Sequence, residues 1–223
     1  MTKKVSVIGR RRSEASKDSS ASYQARRKEI CDAAIRVFHR QGYARASLSQ
    51  VAAELGVDRA TIYYYFSSKN ELFDDITRAV LEANTELAQR IAESKMSARR
   101  KLRELIAAMM MSYSEHYPLL YIYIREDLRQ VADSRSAWSE HMRKLNHAIE
   151  QAFVAIIEQG YEDQSFRRIG PPQNVAFGIL GMINWSHRWY RPGAGQSADE
   201  IGRTFAELAL GGIESPYTNS PMT

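Results

Sequence analysis

One cysteine, Cys31, stands in 223 residues, so no intrachain disulfide can form and a reducing cytoplasm is the expected home. Cysteine packs as a small hydrophobe, and here it reads as helix core rather than nucleophile. Long hydrophobic runs are missing too. The longest uncharged apolar stretch, Val175 to Ile183 and on to Trp185, falls far short of the roughly 20 residues a membrane helix needs. The N-terminus is basic, but no apolar segment of signal-peptide length follows it, so no leader is expected. Catalytic signatures are also lacking: no G-x-S-x-G elbow, no P-loop, no G-x-G-x-x-G and no H-E-x-x-H. His39, His116, His141, His147 and His187 include no i, i+4 pair. His141 and His147 are too far out of phase to share a metal from one helix face. Neither enzyme activity, a metal nor a cofactor is expected.

What the chain does have is charge, unevenly placed. Residues 1–70 hold 14 Lys/Arg against 6 Asp/Glu, and the remainder holds 17 against 20. A basic N-terminal third on a slightly acidic body suggests a module that faces a polyanion. Charge alone does not separate DNA from RNA or an acidic membrane. Residues 1–22 lack apolar periodicity and read as a disordered basic arm, either a solvated tail or a tether that adds phosphate contacts.

From about Tyr23 the pattern is helical throughout, and no segment alternates with period two. Ile30, Ala33, Ala34, Val37 and Phe38 repeat at helical spacing up to a stop at Gly42. Ser47 and Gln50 form a capping box that opens a short helix with Leu48, Val51, Ala52 and Leu55 on one face. Gly56 ends it, and Asp58 can cap the next. Ser68 and Glu71 form a second capping box, before a long stripe of Leu72, Ile76, Val80, Ala83, Leu87 and Ile91. Five further helices are predicted, over about 98–115, 118–131, 135–159, 172–190 and from a third capping box, Ser197–Glu200, to near Gly211. The fold class is all-α with about nine helices. The division expected is a DNA-facing domain over 23–70, a second helical domain over 71–213 and a flexible tail over 214–223.

The two short helices meet across "LGVD", a helix-turn-helix signature with glycine at the sharp bend. In "ATIYYYFSSKNELF" helix geometry separates the aromatics, because four adjacent helical residues span the whole circumference. Ile62 and Phe66 share a core face, with Tyr65 on its flank. Arg59, Ala60 and Tyr63 define the opposite face, with Tyr64 beside them. Small Ala60 permits close approach to base edges, and Arg59 can donate a bidentate pair to guanine. Tyr63 and Tyr64 offer hydroxyls to phosphates, and Lys69 adds a cation beside a helix N-terminus. Ser47 and Ser49 are placed to touch phosphate as well, with Arg45 as a further cation.

The stretch "ASLSQVAAELGVDRATIYYYFSSKNELF" resembles the N-terminal domain of tetracycline-repressor (TetR) family transcription regulators. Thr61, Ile62, Tyr63, Tyr65, Phe66, Ser68, Lys69 and Leu72 fill places of that family's pattern, with Tyr65 where histidine is common. The resemblance implies DNA contacts at Ser47, Ser49, Arg59, Ala60, Thr61, Tyr63, Tyr64 and Lys69. It also implies a homodimer on a palindromic operator, a repressor that lets go when a small molecule enters the C-terminal domain. A ligand-independent architectural DNA-binding protein is the alternative. Independently, "NVAFGILGMINW" is apolar nearly all round, with Gly178 and Gly181 permitting close approach, and such a helix needs burial on more than one side.

Aromatic and soft residues recur in the second half. Most read as core. A minority are expected to line a pocket, with candidates Met109, Tyr113, Tyr117, Tyr121, Trp138, Met182 and Trp185, and with Glu126 and Asn184 as polar contacts. "RWYRPG" and the end of the chain resemble a subgroup of the same family containing regulators of steroid and fatty-acid breakdown. That likeness implies an acyl-CoA thioester as one possible effector, with Arg125, Arg129 and Arg188 available to its phosphates. An unrelated hydrophobic effector is the other reading.

Overall fold

A computed structural model describes residues 21–130 and 137–214, the side chains of 126–130 and 137–139 excepted. Among the described residues the chain is all-α. The helices are α1 (Ala21–Gln41), α2 (Leu48–Leu55), α3 (Arg59–Tyr65), α4 (Lys69–Glu93), α5 (Ala98–Glu115), α6 (Leu119–Gln130), α7 (Ala137–Glu162), α8 (Pro172–Trp185) and α9 (Ala198–Ile213). A 3-10 turn, Ser186–Arg188, follows α8. No helix among the described residues is long and apolar enough to cross a membrane. The expected arm and tail lie outside the described residues, save Ala21 and Ser22, which already belong to α1, and Glu214, which bridges to Phe166.

Local chemistry sets most of these boundaries. Ser47 accepts from the Gln50 N–H, and Gln50 Oε1 accepts from the Ser47 N–H at 2.9 Å, so two orphan donors of α2 are satisfied at once. Gly56 closes α2 at φ 66°, a left-handed conformation that costs glycine little. The Ser197–Glu200 box opens α9 in the same way. The Ser68–Glu71 pair works one residue out of frame. Its Glu71 N–H donates to Ser68 Oγ at 3.0 Å, while the carboxylate reaches back to the Ser67 N–H at 2.9 Å. Asp58 occupies the N-cap position of α3, but its side chain makes no capping bond. The helix expected over 172–190 stops at Trp185, because the Ser186 carbonyl tightens the chain by accepting from Trp189 (3.1 Å) and Tyr190 (2.8 Å).

The chain divides into two compact units, Met1–Arg78 and Ala79–Thr223. In the first, Ile30, Ala33, Ala34 and Val37 of α1 are buried with Val51, Ile62, Phe66 and Leu72. The division falls later than residue 70 because the first turns of α4 belong to this core. Phe73 packs its ring 5.8 Å from Phe38 and 4.6 Å from Tyr43. Arg27 donates to Asp75 at 2.7 Å and lays its guanidinium 5.0 Å over the Phe66 ring. Cys31 is half-buried, and burial pushes its thiol up to about 12, which keeps it protonated and inert.

The second unit is built around α5, packed between α7 and α9. Gly202 of α9 lets the backbones approach, since a Cβ there would lie 3.1 Å from Ala107 Cα. On α4 the buried stripe differs from the one the apolar pattern marks. Ala83 is exposed, whereas Leu81, Asn84, Thr85 and Ala88 are buried. The polar pair tolerates burial because Asn84 accepts from Ser112 at 2.8 Å and Thr85 donates to the Leu145 carbonyl at 3.4 Å. Lys101 is buried as well. Its ammonium donates to the Ala92 carbonyl (2.6 Å) in the last turn of α4 and to Gln159 Oε1 (2.7 Å), closing that helix end.

One carboxyl in the first unit has no such support. Asp74 Oδ1 is buried without a hydrogen-bond partner. Burial pushes this group up to about 7, against the opposing pull of Arg78, with Asp75 adding to the rise. A carboxyl raised in the folded state binds its proton more tightly than in the unfolded chain. Stability is therefore fully present below about pH 4 and falls as pH rises through about 7. Asp74→Asn should match the parent in melting temperature near pH 4 and exceed it near pH 8. Parallel melting curves across that range would refute the assignment.

Candidate nucleic-acid interface and cavity

In the first unit α3 presents one buried and one exposed face. Ile62 and Phe66 are fully buried, while Arg59 and Ala60 are exposed and Tyr63 is half-exposed. Arg59 lays its guanidinium 5.0 Å over the Tyr63 ring and donates to the Tyr63 hydroxyl at 2.7 Å. The pair pre-organises a cation and an aromatic edge on one side of a short helix. Thr61 is half-exposed, and its N–H closes the first turn on the Asp58 carbonyl at 2.9 Å.

Tyr64 and Tyr65 are both half-exposed. Tyr65 packs 4.9 Å from Tyr23 of α1, and Tyr64 stands edge-on to Tyr65 at 5.1 Å. Tyr23 is a brace that the sequence reading missed; its only signal was an aromatic at the start of α1. Ser47 is engaged in its capping box, and Ser49 is exposed on the first turn of α2. Lys69 does not simply extend toward solvent. It donates to the carbonyls of Tyr43 (2.7 Å) and Ala44 (3.3 Å), with its ammonium 4.4 Å over the Tyr43 ring. Lys69 thus ties down the loop that carries Arg45 toward α2.

The second unit carries an open-mouthed cavity of about 280 Å³, with Gly181, Asn184 and Trp185 of its wall exposed in the single chain. Its wall comes from α4 (Leu81, Asn84), α5 (Met109, Tyr113), α6 (Leu120, Tyr123, Ile124), α7 (Asn146, Ile149, Glu150), α8 (Leu180, Gly181, Ile183, Asn184, Trp185) and His187. Of the residues expected at a pocket, Met109, Tyr113, Asn184 and Trp185 are brought together here. Tyr117, Tyr121 and Met182 are not part of the wall. Tyr121 is buried behind it, edge-on to Tyr113 (5.9 Å) and Tyr117 (5.3 Å). The side chains of Glu126 and Trp138 lie outside the described residues. Asn84, Asn146 and Glu150 went unread because apolar periodicity is blind to polar members of a buried face. Arg188 lays its guanidinium 5.1 Å over the Trp185 ring, at the α8 end of the cavity wall.

A capped short helix, a left-handed glycine turn and a second short helix with an exposed cationic and aromatic face define a helix-turn-helix regulator. The chain belongs to the tetR family of bacterial regulatory proteins. The profile of that family matches residues 30–76, and the tetracyclin repressor-like C-terminal domain matches residues 95–213. Among similar proteins is the HTH-type transcriptional repressor KstR2 of Rhodococcus jostii (strain RHA1), 26% identical over 201 residues, 90% of this chain and 97% of the relative. The structure of the ketosteroid transcriptional regulator KstR2 of Mycobacterium tuberculosis superposes with a TM-score of 0.78 at 25% identity, covering 85% of this chain and 95% of that one. A structure of AibR in complex with isovaleryl coenzyme A and operator DNA shares the fold, with a TM-score of 0.66 at 18% identity over 82% of this chain and 97% of that one.

Proposed function

We propose that the chain is a homodimeric repressor that grips a two-fold operator through α3 and is released by a small, largely apolar effector. The observation that carries the DNA part is the exposed Arg59–Ala60–Tyr63 face, backed by buried Ile62 and Phe66. Arg59 and Ala60 meet base edges, while Thr61, Tyr63, Tyr64, Ser47 and Ser49 meet the phosphate backbone. Dimerisation is supported by Phe177 and Trp185 on α8 and Leu208 on α9, which stand 52%, 60% and 62% exposed in the single chain. Gly178 has open space beside it and does not line the cavity, so a second copy can approach the α8 backbone closely there. A dimer places its half-sites about one helical turn, roughly 34–36 Å, or a multiple of it apart.

The cavity supports an effector, and α4 supports a route for its signal. That helix starts at Lys69, beside the reading helix in sequence, and carries Leu81 and Asn84 to the cavity wall. Repression is the stated role of KstR2 in Rhodococcus jostii, and AibR binds a CoA thioester together with operator DNA. An acyl-CoA or another hydrophobic metabolite therefore heads the panel of effectors.

The test is a mobility-shift titration on the DNA upstream of the chain's own gene, repeated with acyl-CoAs and hydrophobic metabolites. A two-fold footprint released by one compound supports the proposal; no preference for any site removes it. Lys69→Ala should flatten the salt dependence of binding by about one unit of slope. It should also destabilise the fold by about 1–2 kcal/mol, because the Tyr43 and Ala44 carbonyls lose a charged donor. A lowered melting temperature with an unchanged slope would confine Lys69 to bracing the loop.

A further inference from the structure

We infer that the cavity recognises an uncharged carbonyl group through the amide N–H groups of Asn84 and Asn184, which the protein holds with their oxygens already engaged. This rests on the effector reading above and names the chemistry that the cavity takes.

The orientation of Asn84 follows from a short relay. His116 Nδ1 lies 3.0 Å from the Ser112 carbonyl and 3.3 Å from Ser112 Oγ. A carbonyl only accepts, so Nδ1 carries the proton, and the Ser112 hydroxyl must send its own proton elsewhere. It sends it to Asn84 Oδ1, 2.8 Å away. The Asn84 amide is left with its NH₂ end for the cavity it lines. Asn184 is set in the same sense by Tyr113, whose hydroxyl donates to Asn184 Oδ1. Burial raises the Tyr113 phenol above its ordinary value, so it keeps the proton that this bond uses. Asn146 faces the other way: its Nδ2 donates to the Tyr123 hydroxyl at 2.8 Å, which leaves its oxygen as an acceptor.

Charge and size narrow the ligand further. Among the described lining residues Glu150 is the one carboxylate, and neither lysine nor arginine is present. An anionic group inside would face Glu150, which is 3.5 Å from His147 Nδ1, with His187 as the one basic side chain among the described lining residues and no fixed cation, so the wall favours an uncharged group. A cavity of about 150 Å³ holds one benzene ring, so about 280 Å³ suits two fused rings. Leu81, Met109, Leu120, Ile149 and Ile183 supply the apolar contact. A ring ketone and a thioester both present the required carbonyl.

The experiment is isothermal titration calorimetry on the full chain with tetralone, tetralin, tetrahydronaphthoate, benzoyl-CoA and CoA. Tetralone, benzoyl-CoA or both should bind, with tetralin weaker than tetralone by about tenfold or more and tetrahydronaphthoate weaker still. Asn84→Asp and Asn184→Asp keep the shape and still accept from Ser112 and Tyr113, but each removes the N–H donor. Each should weaken the carbonyl probes by about tenfold or more beyond any change in tetralin, whose binding reports the cost of the carboxyl to the cavity itself. Selective loss of tetralone assigns a ketone, and selective loss of benzoyl-CoA over CoA assigns a thioester. Equal binding of tetralin and tetralone, aspartate variants that bind the carbonyl probes as the parent does, or no binding of any probe would overturn the inference. Operator release is scored separately. Binding through both asparagines without DNA release ends the effector reading alone, and release by tetralin as readily as by tetralone ends this one alone.

Discussion

Phe177→Arg is expected to convert the protein to a monomer and to weaken operator binding by about 100- to 10,000-fold. Phe177 is 52% exposed in the single chain, so the arginine has room and the subunit should fold with a melting temperature little changed from that of a monomer. In the proposed dimer, what it removes is the pairing of two reading heads. Linking two weak half-site contacts through one dimer raises overall affinity by about 10²–10⁴ without any new contact, and that factor is what the variant should lose. Light scattering at micromolar concentration gives the mass, and a titration of the full operator beside a single half-site gives the affinities. A variant that stays dimeric, or a monomer that binds the full operator undiminished, would move the interface away from α8.

Gly160→Ala should be the most damaging single methyl in the second unit. A Cβ at Gly160 would lie 2.1 Å from Cδ2 and 2.5 Å from Cγ of Phe166, a side chain that is 3% exposed. That ring cannot simply swing away. The Phe166 N–H donates to the Gly160 carbonyl at 2.8 Å, and the next residue, Arg167, donates to the Ile213 carbonyl at 2.6 Å, so the segment is pinned at both ends of its turn. Overpacking of this kind costs about 1–3 kcal/mol, and here it should sit at the upper end. The melting temperature should drop by roughly 6–12 °C. Gly170→Ala, with open space around it, is the control and should be nearly silent. Phe166→Leu in the Gly160→Ala background should recover part of the loss. No drop in Gly160→Ala would mean that Phe166 has another place to go.

Both predictions depend on information that sits at different levels. The apolar character of α8 is read straight from the sequence, where Gly178 and Gly181 raise the expectation of a second burying partner; what the fold adds is that Phe177 and Trp185 stand exposed in the single chain. The Gly160–Phe166 fit was not legible there, because nothing in "EQGYEDQSF" says that the chain folds back to lay a phenylalanine on the glycine. The same contrast runs through α4. Its apolar residues suggested Val80, Ala83 and Leu87, yet Ala83 is exposed and Asn84, Thr85 and Ala88 are buried. Periodicity counts hydrophobicity, whereas burial of Asn84 and Thr85 was decided by partners on α5 and α7.

Lysines show the limit most clearly. Lys69 read as a cation for phosphate, and its position at the start of α4 was right; that it also holds the Tyr43 and Ala44 carbonyls needed the loop between α1 and α2 in place. Lys101 carried no signal at all, although it is buried against the end of α4 and Gln159. A charged residue declares itself in sequence only as charge. Whether it meets solvent, a phosphate or a helix end depends on where distant backbone carbonyls fall.

By itself the sequence determined what local rules can decide: the helices, since caps, glycine stops and a 3.6-residue repeat act within a few residues, and the split of the Tyr63–Phe66 run into an outward and an inward face. Tertiary structure alone decided the cavity. Its wall draws on five helices, and Asn84, Asn146 and Asn184 take their direction from Ser112, Tyr123 and Tyr113, partners far from them in the chain whose hydrogen bonds form only once those helices have packed.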